Sequence, residues 1–170
     1  FATRLYQAMI DDETLLGELG HSIRTLALDD DAGRRWSRDK GYKGYTSYAS
    51  LNDLPRRDPA FEDLRRILGR HAAAFAKDLS WDVKPKVDSI WVNLLKPGRH
   101  HAGHIHPHSI LSGTLYVEAP EGSGPIRFED PRLTQMMAAP VRRDDAPEDL
   151  QPFVTVTPGA GLLLMWESWL

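Results

Sequence analysis

Between Gly98 and Val117 the chain reads GRHHAGHIHPHSILSGTLYV, and five of its seven histidines lie there: His100, His101, His104, His106 and His108. An alternating apolar stretch beginning at Ile110 then carries the chain away from them. Neutral imidazole is the commonest protein ligand for a transition metal. On an extended segment, residues two apart point to the same side, so His104 and His106 can offer one metal two ligands. The remaining ligands must then come from a facing element. A solvated loop is the plain alternative. The tract lies mid-chain, is broken by Gly103, Ile105 and Pro107, and leads into a strand, unlike an appended tag. A short His-rich tract is itself a metal-binding signal.

The length of 170 residues predicts a single domain spanning 1–170, large enough to bury a core without staples. Net charge is −3, and the arginine pairs Arg34–Arg35, Arg56–Arg57, Arg65–Arg66 and Arg142–Arg143 all have acids close by. No basic stripe marks a nucleic-acid partner. The absence of cysteine removes disulfides and thiolate metal sites, and fits a cytoplasmic location. No apolar run is longer than Leu162–Trp166, far too short to span a bilayer, and no signal peptide is visible. No membrane partner is therefore expected. The chain begins at Phe1 and stops at Leu170 inside an apolar segment, so both ends read as trimmed.

Along the chain, Phe1 to Met9 reads as a short strand. Asp11 or Asp12 then caps a helix whose apolar face is Leu15, Leu19, Ile23 and Leu26, ending over Asp29 to Gly33. Trp36 to Leu51 has no clear period and reads as irregular. Pro55 and Pro59 bracket a turn. The next helix is marked by Phe61, Leu64, Ile67, Leu68, His71, Phe75 and Leu79, with Arg65, Arg66 and Arg70 on its other face. His71, on the apolar stripe, is expected to be packed or half-buried, and His21 likewise. Strands follow over Val87–Leu95, Ile110–Glu118, Pro125–Glu129, Phe153–Thr157 and Leu162–Trp166, with a long polar excursion over Arg132–Gln151. Helices first and short strands after predict an α+β chain: a β-sandwich or open barrel with helices packed outside one sheet.

Trp91 and Asn93, then His104-Ile105-His106-Pro107, then Leu111-Ser112-Gly113 with Tyr116, Phe128 and Pro131, and finally Pro158, Gly161 and Ser168 form a connected pattern. In this order they resemble a family of small 2-oxoglutarate/iron(II) dioxygenases. Weaker similarity reaches back through Gly44-Tyr45-Thr46-Ser47-Tyr48 toward Phe1. The resemblance implies a double-stranded β-helix, or jelly roll, and Fe(II) and 2-oxoglutarate as cofactor and cosubstrate. It implies His104 and His106 as metal ligands, a histidine standing at the second position where the wider superfamily usually carries a carboxylate. His108 and His101 are the alternatives for that position. The third ligand and the arginine that pairs with 2-oxoglutarate are expected beyond Leu170. Tyr116 sits where related enzymes place a tyrosine on the cosubstrate carboxylate, and Asn93 would line the pocket. The implied reaction is a hydroxylase-type oxidation of a small molecule or a side chain, with Arg132–Gln151 covering the pocket mouth.

Two other readings compete. Gly98 followed by His104-x-His106 also opens a cupin motif, but the glutamate that this motif needs next is replaced by Ile110 and Leu111. The third reading is a jelly roll that binds metal or ligand without turnover. Neither the substrate nor the oligomeric state is legible in the sequence.

Overall fold

A computed structural model describes residues 2–170 of the chain, which divide into two compact units. One is Ile10–Gly103. The other joins Phe1–Met9 to His104–Leu170.

The first unit holds three helices and two short strands. Helix α1 is Glu13–Asp29, with Asp12 as its N-cap: the Asp12 carboxylate accepts the Leu15 N–H at 3.0 Å. Leu15 and Leu19 are buried, and Ile23 and Leu26 are half-buried, so the expected face is the one that packs. Helix α3 is Pro59–Asp78. Pro59 is its first residue rather than the close of a turn, a position where the missing N–H costs nothing. The Asp58 carboxylate accepts the Ala60 N–H at 2.8 Å and the Ser22 hydroxyl of α1 at 2.5 Å, tying the two helices together. Phe61, Leu64, Ala72, Phe75 and Ala76 are buried, while Arg65 and Arg66 lie exposed and pair with Glu62 and Asp63. His71 is half-buried, as its stripe predicts. His21 is exposed instead, because it lies about 200° around α1 from Leu19, off the packed face.

Helix α2, Asp31–Asp39, replaces the first part of the stretch expected to be irregular. Its sequence DAGRRWSRD has one large apolar residue, Trp36, and so no stripe for periodicity to detect. Its ends hold it instead. Asp31 in the first turn and Arg38 in the last complement the helix dipole, and Asp31 pairs with Arg34. Asp30 caps it by accepting the Gly33 N–H at 3.0 Å, and also accepts the Tyr45 hydroxyl at 2.9 Å and the Ser50 hydroxyl at 2.5 Å. A Cβ at Gly33 would stand 2.2 Å from the Asp30 carboxylate and 2.9 Å from the Thr46 carbonyl oxygen, so only glycine fits there. Burial alone would raise the Asp30 carboxyl. The bonds from Ser50, Gly33, Tyr45 and Ala32 outweigh it and hold the group below the usual carboxylate range.

Strand β2, Gly44–Thr46, pairs antiparallel with β3, Asn93–Leu95, Thr46 facing Asn93. The strand expected over Val87–Leu95 is thus shorter. Ser47 explains the difference: its hydroxyl accepts the Val92 N–H at 3.1 Å while its own N–H donates to the Val92 carbonyl at 3.0 Å. Backbone groups of Val92 are satisfied without a longer ladder. Earlier in the segment Ile90 makes a single bridge to Asp53.

In the second unit the strands are β1 (Tyr6–Met9), β4 (Leu111–Leu115), β5 (Ile126–Glu129), β6 (Phe153–Val156) and β7 (Leu162–Glu167). Phe1, the start of the first expected strand, lies outside the described residues. Strand β7 is central, flanked antiparallel by β1 and β4. Leu163, Leu164 and Met165 are buried in succession, so both faces of β7 are covered, as a continuous apolar run requires. Strands β5 and β6 form a separate antiparallel ribbon. Phe128 of that ribbon sets its ring edge-on to Trp166 of β7, centroids 5.0 Å apart. The polar excursion holds two 3-10 turns, Leu133–Gln135 and Glu148–Leu150, with Met137 and Val141 almost fully exposed. The chain is therefore mixed helix and antiparallel sheet. Among the described residues, no helix is long and apolar enough to cross a membrane.

Asp30→Ala removes a helix cap and two further bonds, and is expected to cost about 2 kcal/mol. Because the folded carboxyl lies below its unfolded value, this stabilisation is present at neutral pH and lost as pH falls through the range below about 3.9. Urea unfolding at pH 7 and pH 3 checks it. Equal stability of the variant and the parent at pH 7 would contradict the account.

Candidate metal centre

Ser112 lies on β4 opposite Trp166 of β7, and Ser168 follows directly after β7. The Ser168 N–H donates to the Ile110 carbonyl at 3.2 Å, which continues the pairing past the end of β7. The two hydroxyls meet at 2.7 Å, and both serines are buried. From this pair the contacts run outward. Ser112 Oγ is 2.7 Å from His106 Nδ1, and His106 Nε2 is 3.0 Å from His104 Nε2. The two imidazole rings stand 4.9 Å apart, centre to centre, and tilted at 47°.

The histidine tract is not a strand. Residues 101–106 have irregular backbone, a turn follows at Pro107–His108, and His108 has a φ of +74°. The convergence of His104 and His106 thus does not come from alternation along a ladder. It comes from tethering the inner ring to Ser112, which turns Nε2 toward His104. His106 is half-buried and His104 exposed.

Two nitrogens at a metal distance of about 2.1 Å, about 90° apart, lie about 3.0 Å from each other. The observed separation therefore suits two adjacent positions of one ion. Burial, and then the neighbouring His104, push the His106 pKa below its ordinary value. Both effects favour neutral imidazole, the form that ligates. Among the described residues, no group of three or more His, Cys, Asp or Glu side chains is assembled to hold a metal. The pair offers two nitrogens and no third donor of these types.

Other expected residues lie as follows. Tyr116 comes just after β4 and extends its pairing: its N–H donates to the Leu162 carbonyl at 3.0 Å, and its carbonyl accepts the Gly161 N–H at 2.7 Å. Its side chain is half-buried, and burial raises the phenol pKa, so the hydroxyl keeps its proton. Asn93 is exposed on β3, in the unit Ile10–Gly103. His101 belongs to that same unit, where its ring meets the Tyr42 ring edge-on at 5.1 Å. The Tyr42 hydroxyl is buried without a hydrogen-bond partner, and its pKa is pushed up to about 12 by burial. Ser112 and Ser168 occur in the sequence pattern, yet nothing in their spacing signals that they meet. Their contact exists only once β4 and β7 pair.

Residues 89–170 match the model of a family described as Putative 2OG-Fe(II) oxygenase. This segment is similar to that family. The matched segment takes in His104, His106, Ser112, Tyr116 and Ser168, along with Asn93. No curated protein matches the chain.

A Cβ at Gly113, beside Ser112, would meet the Leu164 carbonyl oxygen at 2.8 Å and Met165 Cγ at 3.1 Å. At this glycine β4 thus runs close against the backbone of β7. Gly113→Ala is expected to cost about 1–3 kcal/mol by forcing β4 away from β7. Denaturant titration measures the loss, and an unchanged midpoint would show that β4 is not held this closely.

Proposed function

We propose that the protein is a 2-oxoglutarate- and Fe(II)-dependent dioxygenase that oxidises a C–H bond of a small molecule or a side chain. His104 and His106 hold the iron. The observation that carries this reading is the 3.0 Å approach of the two Nε2 atoms inside the segment that matches the oxygenase family. In this reading residues 1–170 act as one domain on a double-stranded β-helix. The family match covers residues 89–170 and runs across the division at His104.

With Fe(II) and 2-oxoglutarate bound, dioxygen would be the oxidant, one of its atoms entering succinate as 2-oxoglutarate loses carbon dioxide and the other entering the oxidised C–H bond. The chain's own residues bind and orient. His104 and His106 present neutral nitrogens from the irregular tract. The covered faces of β7 keep water away from the inner side of the site. Tyr116, its hydroxyl protonated, is suited to donate to a carboxylate of the cosubstrate. Residues 132–151 would close over the site. The cytoplasm is the proposed location.

Anaerobic titration with Fe(II) tests the ligands. His104→Ala is expected to weaken binding by at least about a hundredfold, while His71→Ala lowers stability and leaves iron binding intact. Full occupancy in His104→Ala would remove the assignment. Succinate released from 2-oxoglutarate only when Fe(II) is present identifies an oxygenase. Iron bound without any turnover identifies a binding protein instead.

A further inference from the structure

We propose that Ser112, backed by Ser168, is a positioning residue for the metal. It takes the Nδ1–H of His106, so that Nε2 of that ring carries the lone pair offered to the ion. This rests on the reading of His106 as a ligand.

An imidazole that ligates through Nε2 carries its proton on Nδ1, and that proton needs an acceptor. Ser112 Oγ stands 2.7 Å from Nδ1. A hydroxyl accepts and donates at once, so Ser112 can receive the histidine proton and pass its own to Ser168 Oγ, 2.7 Å further on. Both serines are almost entirely buried, 7% and 3% exposed, so water does not readily replace either partner. Their placement is fixed by backbone: Ser112 pairs with Trp166, and the Ser168 N–H bonds to the Ile110 carbonyl.

The relay also works in reverse. Without metal, the His106 Nε2–H can donate to His104 Nε2, while Ser112 donates to Nδ1 and Ser168 donates to Ser112. All of the serine contacts survive, with every donor turned round. Loading the metal then breaks no bond between His106, Ser112 and Ser168. A carboxylate in the place of Ser112 would hold the ring but could not reverse while ionised, since it only accepts.

Zinc is the probe, because its complexes are diamagnetic and it takes the same imidazole ligands. In protein labelled with nitrogen-15 at histidine, the zinc-loaded form is expected to show His106 with a protonated Nδ1 and a metal-shifted Nε2. Competition titration is expected to give a loss of about 10–100-fold in zinc affinity for Ser112→Ala. Ser168→Ala should lose less, and Ser112→Thr, which keeps the hydroxyl, should recover most of the affinity. A purely structural serine would lower the melting temperature and leave the affinity of the folded protein alone. Ser112→Ala binding within twofold of the parent, with His104→Ala still abolishing binding, would overturn the relay and leave the metal site standing. If the parent binds zinc no better than His104→Ala does, the metal site and the relay both fail. Should Ser112→Ala not fold, the parent's spectrum decides: zinc on His106 Nδ1 would contradict the proposal.

Discussion

The antiparallel pairing of β4 with β7 is the constraint from which the site follows. It sets Ser112 and Ser168 side by side although 56 positions separate them in the chain. Hydroxyls in contact this deep stay dry only because β7 is apolar on both faces, with Leu163, Leu164 and Met165 filling successive places. Gly113 lets the strands approach closely, and the ring of Phe128 leans on Trp166 beside the register position of Ser112. Shifting this register by one residue would turn every side chain of β4 to its other face and take Ser112 away from His106.

The histidine tract itself contributes little order. Its backbone is irregular, and His104 is exposed. What it supplies is donor atoms on a short leash. The inner ring is anchored at Nδ1, and the outer ring then finds it at Nε2. Fixing one ligand ring through its far nitrogen is a common way for proteins to aim the near one. Here the fixing groups are neutral hydroxyls, and burial, then the neighbouring His104, lower the His106 pKa.

Much of this was legible in the sequence. Wherever residues repeat with a period, the elements fell as expected: α1 from Leu15 and Leu19, α3 from Phe61 to Phe75, β7 from its apolar run. The α2 helix was not legible, since it is held by Asp30 and by its end charges rather than by an apolar stripe. The third strand was overextended because Ser47 replaces ladder partners with its side chain, an event no pattern announces. His104 and His106 stand two apart in the sequence, a spacing that brings side chains together on an extended segment. They do meet, but through Ser112 and not through strand alternation. Asn93 and Tyr116 stand in no pattern of their own, and only the family resemblance singles them out.

The central claim is that one divalent ion sits between two particular nitrogen atoms. Anomalous diffraction from crystals grown with Fe(II) or Mn(II) under anaerobic conditions tests it directly. The account predicts a single metal peak within bonding distance of both Nε2 atoms of His104 and His106, with His106 Nδ1 still against Ser112. A metal peak elsewhere on the tract, such as at His100, His101 or His108, with His106 turned away from Ser112, would contradict it.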